Sequence, residues 1–401
     1  MQGASFAADA AATEGPVPTG PPKRIAFVRQ RYTAGGGAER IIERAIERLR
    51  LRQQVEVTVL ARRWPEQAGI KGIRIDPWHM GRTWRDASFE RAVEACIARE
   101  RFDLVQSHER IAGATIFRAG DGIHAGWLER WLPTLPAWRR ALVRASPYHR
   151  FTLARERRMF ADQGLRAVIA NSQFVANDVI RHFPSAAPLI RVIRNGVDST
   201  HFHPGLREQH RAATRTALGI PANARALLFL GSGFERKGLA TAIRTLATLP
   251  TDVHLVIVGR DRRQGRFRAL AHGLGVESRT RWLGAVSDPR PQLGACDAAI
   301  LPSLYDPMPN SVLESMACGL PVAASTFTGA TDLIRHRENG VLAHPLDQAA
   351  WNLETAWLLD PANTARLGVA ARTSVEPLTM EAMVDGWTSL YEALLARSDR
   401  G

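Results

Sequence analysis

The order of short apolar run, glycine-rich loop, amphipathic helix and second apolar run occurs twice in this chain. Residues 24–28 form the first run, Gly35-Gly36-Gly37 the loop, a helical stretch continues to about Leu51, and residues 55–60 form the next run. Residues 226–231, the loop from Gly231 to Gly238, a helix from about Leu239 to Leu249 and residues 253–259 repeat that order. Strand, loop, helix and parallel strand open a doubly wound α/β domain, whose strands empty into a cleft at their carboxyl ends. Further strands are predicted at residues 103–107 and 167–172, and again at 281–284 and 298–301. A turn at Asn195-Gly196-Val197-Asp198, with Pro204 beyond it, separates the two series and reads as a hinge.

The expected organisation is an extension at residues 1–22, a first domain at 23–200, a second at 201–378, and a final segment at 379–401. That segment carries a helix from about Met380 with Trp387, Tyr391 and Leu394 on one face. The extension is rich in Ala, Gly, Pro and Thr without an apolar period, so it reads as disordered. It lacks the basic start and apolar core of a signal peptide, and secretion is not expected. A chain of 401 residues, 45% of them hydrophobic, is long enough for two or three domains with large cores. No apolar run approaches the roughly 20 residues that span a bilayer. Cys96, Cys296 and Cys318 form no closely spaced pair, which suits a reducing compartment and neither a disulfide framework nor a zinc site. The net charge of +14 suits a polyanionic partner such as nucleic acid, anionic lipid or a phosphorylated glycan. The arginine- and alanine-rich usage of a GC-rich genome would give the same excess.

The chemistry concentrates at a strand-to-helix corner from Tyr305 to Val322. Asp306 lies in the loop, Asn310 is placed to cap the helix, the N–H of Ser311 would face an anion, and Glu314 follows one turn in. Two carboxylates eight positions apart can accept hydrogen bonds from a vicinal diol. In the second glycine loop Gly231 lets the backbone approach a ligand, while Arg236 offers a planar fork and Lys237 a point charge. Fixed cations of that kind neutralise a diphosphate leaving group without a metal, and no Asp-x-Asp metal motif lies near these loops. Gly36 and Gly37 lack the spacing of the dinucleotide fingerprint, which argues against NAD.

Asp121 and His124 follow a polar stretch where an acid or imidazole can orient an acceptor hydroxyl, although a turn Asp and a packing His would look the same. Glu156 sits in a basic helix and reads equally as an ion-pair partner. Between Trp127 and Arg158, tryptophans alternate with arginines, as at the headgroup region of an anionic membrane. A helix packed on its own domain would carry the same residues.

The corner from Asp306 to Gly319 resembles the acidic-x7-Glu signature of the retaining glycosyltransferases of family 4, nucleotide-sugar enzymes with the GT-B fold. Most members have Glu where this chain has Asp306. Gly231 to Gly238 resembles the family's diphosphate-binding segment, and residues 36–40 and 153–160 follow the same order and spacing as in the lipopolysaccharide core glucosyltransferase I group. The resemblance implies two Rossmann-like domains facing a central cleft, and a final helix that crosses back to the first. It implies metal-independent transfer of glucose from UDP-glucose to a core glycan at the cytoplasmic face of the inner membrane, with no cofactor beyond the donor. The donor would meet Gly36, Gly37, Gly231, Arg236, Lys237, Leu283, Asp306, Asn310, Ser311 and Glu314; the acceptor would meet Asp121 and His124. Arg236, Lys237, Asp306 and Asp121 would carry the chemistry. Two other classes stay open. A sugar-nucleotide epimerase on the same fold would use the same phosphate grip and transfer nothing. A nucleic-acid-binding protein would explain the charge but leave Asp306 and Glu314 without a task.

Overall fold

The computed structural model describes residues 22–30, 37–51, 55–64 and 70–398. The readings made above for residues 1–21 and for Gly35 and Gly36 lie outside those residues. The first sheet contains β1 (Lys23–Val28), β2 (Val55–Ala61), β3 (Lys71–Arg74), β4 (Leu104–Ser107), β5 (Ile116–Arg118), β6 (Ala167–Ala170) and β7 (Ile190–Val192). Its order is β3-β2-β1-β4-β5-β6-β7, parallel throughout. The second sheet contains β8 (Arg225–Leu230), β9 (Val253–Val258), β10 (Thr280–Gly284), β11 (Ala298–Leu301), β12 (Val322–Ser325) and β13 (Gly340–Ala343). Its order, β10-β9-β8-β11-β12-β13, repeats the same winding.

Parallel strands covered by helices on both faces must be apolar along their whole length. Every residue of β4, β6, β9, β11 and β12 is buried, and all are apolar except Gln106, Ser107, His254 and Ser325. Each sheet reverses its winding direction between its first and fourth strands, so each lobe opens a crevice at that point. The two crevices face one another. All three cysteines are buried and unpaired.

The chain passes between lobes twice, and the two passages lie side by side. Val197 pairs in parallel with Thr379, and its N–H donates to the Leu378 carbonyl at 2.8 Å. Gly196 is required there by close approach, because a Cβ would lie 2.4 Å from the Thr379 carbonyl oxygen and 2.6 Å from Met380 Cα. Beyond this point the helix Met380–Ser398 packs against the first sheet. Met383, Trp387, Tyr391 and Leu394 recur at helical spacing and are buried with Ile25, Phe27, Ile46 and Leu104. The Tyr391 hydroxyl donates to Gln106 Oε1 at 2.7 Å.

Trp387 is fully buried, with its ring 6.0 Å from that of Phe27. Trp387→Ala is expected to lower unfolding stability by about 3–5 kcal/mol, and urea denaturation measures it. A midpoint equal to that of the parent protein contradicts this packing.

Candidate active site

Between the lobes lies a cleft of about 670 Å³. Its second-lobe wall is built at the carboxyl ends of β8 and β11, the switch point of that sheet. Gly231 and Ser232 leave β8, and Arg236 and Lys237 stand before the helix Leu239–Thr248. From the other strand come Asp306, Asn310, Ser311 and Glu314, the last three on the helix Asn310–Ala317. Lys237 donates from Nζ to Asp306 Oδ2. Arg236 Nη1 donates to the Tyr305 carbonyl at 2.9 Å and lies 3.7 Å from Asp306 Oδ2. Burial pushes the Lys237 ammonium below its ordinary pKa, and Asp306 opposes that shift. Lys237, Asp306 and Glu314 are all buried, so the cleft opens onto fixed charges with little water around them.

Asn310 differs from expectation. Pro309 occupies the N-cap position and Asn310 is the first helical residue, with no side-chain cap. A side chain on the helix proper does not reach back to the orphan N–H groups. The Asn310 carboxamide instead accepts from Asn195 Nδ2 at 2.8 Å, and Asn195 Oδ1 accepts from Arg118 Nη2 at 2.6 Å. This relay runs from β5 of the first lobe, through the hinge, to the corner helix of the second.

The first-lobe wall is built from the ends of β1, β4 and β5. Arg29, Arg110 and Arg118 line the cleft with Asp121, His124 and Trp127. Arg29 donates to Asp121 Oδ2 at 2.8 Å. Burial by the surrounding protein raises the Asp121 pKa, but Arg29 outweighs it and holds the carboxyl down to about 2. It is charged at neutral pH and open to the cleft, with 55% of its side chain exposed. Glu156 is fully buried. It accepts from Arg110 Nε at 2.6 Å and from the N–H groups of His124 and Ala125, so it holds the start of the helix His124–Trp131 and is the ion-pair partner rather than a cleft residue. His124 shares a 3.0 Å hydrogen bond with His149. Burial and the nearby Arg110 push the His124 pKa down to about 3.

Several contacts join the lobes beside the cleft. The Ile123 N–H donates to the Tyr305 hydroxyl at 3.2 Å, and Ser172 Oγ donates to the Pro307 carbonyl at 2.6 Å. Gly122, at φ +69°, cannot carry a side chain there, because a Cβ would lie 2.2 Å from the Tyr305 hydroxyl. Arg130, paired with Asp178 through two bonds of 2.9 and 2.6 Å, stacks over Phe174 of the first lobe and over Tyr305 and Phe327 of the second.

Most residues singled out from the sequence therefore meet in one cleft: Asp121, His124, Gly231, Arg236, Lys237, Asp306, Asn310, Ser311 and Glu314. Leu283 does not: it packs against the second-lobe core while Ala285 and Val286 line the cleft. Gly37 opens the helix Gly37–Leu51. The sequence reading missed Arg29, Arg110, Arg118 and Asn195. The available signal was an arginine directly after each of two short apolar strands, Arg29 behind residues 23–28 and Arg118 ending 116–118. With these, five cationic side chains and three carboxylates line the cleft, and Arg110 is also paired with the buried Glu156 behind it, so the balance favours an anion. Among the described residues no group of three His, Cys, Asp or Glu is placed to hold a metal ion.

Two parallel doubly wound lobes with an anion-binding cleft between them define the GT-B class. Residues 35–201 match the family described as Glycosyltransferase Family 4, and residues 210–373 the one described as Glycosyl transferases group 1. The chain is 32% identical over 182 residues to the lipopolysaccharide core biosynthesis glycosyltransferase LpsE of Rhizobium meliloti, covering 45% of this chain and 53% of that protein. The chain spans about half the length of the first curated relatives it matches. Among solved structures, WaaG, a glycosyltransferase involved in lipopolysaccharide biosynthesis, superposes with a TM-score of 0.79 at 21% identity, over 92% of this chain and 99% of that one. HepE of Anabaena in complex with UDP-glucose superposes with a TM-score of 0.70 at 22% identity, over 92% and 99%.

The depressed His124 pKa has a consequence for acid stability. An unfolded imidazole takes up a proton near pH 6.5, whereas folded His124 stays neutral down to about 3, so acidification through that window favours the unfolded chain. His124→Gln, which takes up no proton, is expected to unfold with a shallower loss of stability between pH 6.5 and 4 than the parent. Urea titrations at several pH values compare the two slopes, and equal slopes contradict the assignment.

Proposed function

We propose that the protein transfers a hexose, glucose in the first instance, from a UDP-sugar to a lipid-linked glycan of the lipopolysaccharide core type, with retention at the anomeric carbon. The observation that carries the reading is the convergence of Arg236, Lys237, Asp306 and Glu314 on one wall of a cleft whose other wall presents Asp121 and His124. The donor half is supported by the cationic excess and by the fold shared with a protein crystallised with UDP-glucose. The acceptor half is supported by the likeness to LpsE.

In this reading Arg236 and Lys237 bind the pyrophosphate, and Glu314 accepts the ribose hydroxyls. Asp306, released from Lys237 when phosphate takes its place, accepts a hydroxyl of the transferred sugar. The acceptor O–H attacks the anomeric carbon from the face that UDP leaves. The new C–O bond forms as the bond to the β-phosphate breaks, and the proton passes to the departing phosphate oxygen. The cations stabilise the charge that develops there, which is the role metals play elsewhere. The hinge at Val197 and Thr379 would let the lobes close on both substrates.

The test is nucleotide release from a panel of UDP- and GDP-sugars, with and without a truncated lipopolysaccharide core. Release from a UDP-hexose that depends on acceptor is expected. Acceptor-independent appearance of an altered sugar would favour an epimerase. Glu314→Gln is expected to raise the donor KM by about tenfold or more, the loss of about 1.5–3 kcal/mol from a hydrogen bond to a charged group; an unchanged KM removes Glu314 from the donor site.

We place the protein at the cytoplasmic face of the membrane as a peripheral enzyme. No helix among the described residues is long and apolar enough to cross a membrane. The segment 127–158 is divided in its exposure: Trp127 lines the cleft and Arg130 is turned inward, whereas Trp138 and Leu142 are 61% and 63% exposed on the helix Ala137–Ala145, beside Arg139, Arg140 and Arg144. The double variant Trp138→Ser, Leu142→Ser is expected to lose co-sedimentation with anionic vesicles while keeping activity on a water-soluble acceptor. Undiminished sedimentation contradicts docking through this helix.

A further inference from the structure

The first-lobe wall holds a feature that donor binding does not use. Trp127 and Trp131, one turn apart on the helix His124–Trp131, stack at 4.7 Å between ring centroids with planes 17° apart. His124 and His149 stack beside them at 5.2 Å and 22°, and Trp127 lies 5.3 Å from His124. The four rings form one continuous aromatic surface that reaches the cleft at His124 and Trp127. Of the described residues that line the cleft, His124, Trp127 and Tyr305 carry aromatic rings, and Tyr305 is only 3% exposed because it is committed to the lobe contact. Trp127 keeps part of its surface accessible. The accessible part of the Trp127 indole, whose other neighbours are Trp131, His124 and His149, therefore lies on the wall opposite Lys237 and Glu314, on the same helix turn as His124 and close to the charged Asp121.

A pyranose ring has polar hydroxyls at its rim and an apolar face of C–H groups. Such a face packs against the electron-rich face of an aromatic ring, and the indole offers the largest one. Binding sites combine an apolar platform with a few polar groups that fix orientation. His124 is neutral at physiological pH, so its imidazole meets a hydroxyl without burying a charge. The Trp131 ring and His149 behind Trp127 hold the indole in place, which limits the side-chain entropy lost when a sugar docks.

We propose that Trp127, backed by Trp131 and His149, is the stacking platform for the acceptor sugar ring that carries the attacking hydroxyl, with His124 and Asp121 orienting that hydroxyl toward the donor. The inference rests on the transferase reading and assigns the acceptor subsite within it. Trp127 is thereby a ligand-contacting residue and not part of a membrane anchor.

Two substitutions separate the indole's face from its bulk. Trp127→Leu keeps an apolar side chain of good helix propensity and removes the π face; Trp127→Phe keeps a smaller face. With UDP-glucose as donor and truncated core oligosaccharide as acceptor, Trp127→Leu is expected to raise the acceptor KM at least fivefold, and Trp127→Phe less than threefold. UDP affinity by calorimetry stays within twofold of the parent in both. In parallel, NMR saturation transfer from the UDP-loaded parent protein to the oligosaccharide is expected to mark the C–H protons of one ring, and to weaken in Trp127→Leu. A parent-like acceptor KM in Trp127→Leu, or no saturation transfer from the parent protein, overturns the platform. Loss of UDP affinity in Trp127→Leu matching its loss of acceptor affinity overturns it as well, because the residue would then serve the fold or the donor. Failure of the parent protein to bind UDP is a different result, and it removes the transferase reading itself.

Discussion

The site depends on a lysine buried beside an aspartate. An ammonium group with little water around it is costly, and Lys237 is tolerable where it stands because Asp306 pairs with it; Arg236, 3.7 Å from the same carboxylate oxygen, works against the lysine's charge. The arrangement keeps a cation ready at the mouth of β8 without a bound ligand. It also sets a condition on binding. A phosphate must take over Lys237 from Asp306, and the freed carboxylate then needs a partner of its own, which a sugar hydroxyl supplies. The short Asp306 side chain fits this pairing directly against the lysine.

The second constraint is that the two walls be held at a working distance. The relay from Arg118 through Asn195 to Asn310 does this with uncharged amides at its centre, so its geometry is directional and insensitive to salt. Around it, Tyr305 against Gly122 and Arg130 among three aromatic rings fix the lobes at the side of the cleft.

The parts legible in the sequence are those whose information is local. The glycine loop from Gly231 to Gly238, the apolar strands and the corner from Asp306 to Glu314 each fit within one strand-turn-helix unit, so spacing alone brings their residues together. That both sheets are doubly wound followed from the alternation of elements, whereas the strand orders come from the structure. The position of Asn310 was misjudged by a single residue, the usual uncertainty of a helix boundary, and that residue decides between cap and helix. What could not be read were the pairings across the cleft. Arg118 and Asn195 are 77 positions apart, and Ile123 and Tyr305 are 182 apart. Nothing in the local pattern around an arginine at a strand end says which distant group it will meet. The tryptophans at 127 and 138 have similar neighbours in sequence, yet one turns to the cleft and the other to solvent, because the helices that carry them pack differently.

The most direct measurement is a crystal structure of the protein with UDP. The account predicts the pyrophosphate oxygens within hydrogen-bond distance of Lys237 Nζ and the Arg236 guanidinium, the ribose hydroxyls at Glu314, and the Lys237–Asp306 pair opened. UDP bound elsewhere, or bound with that pair intact and both cations turned away from the phosphates, would contradict it.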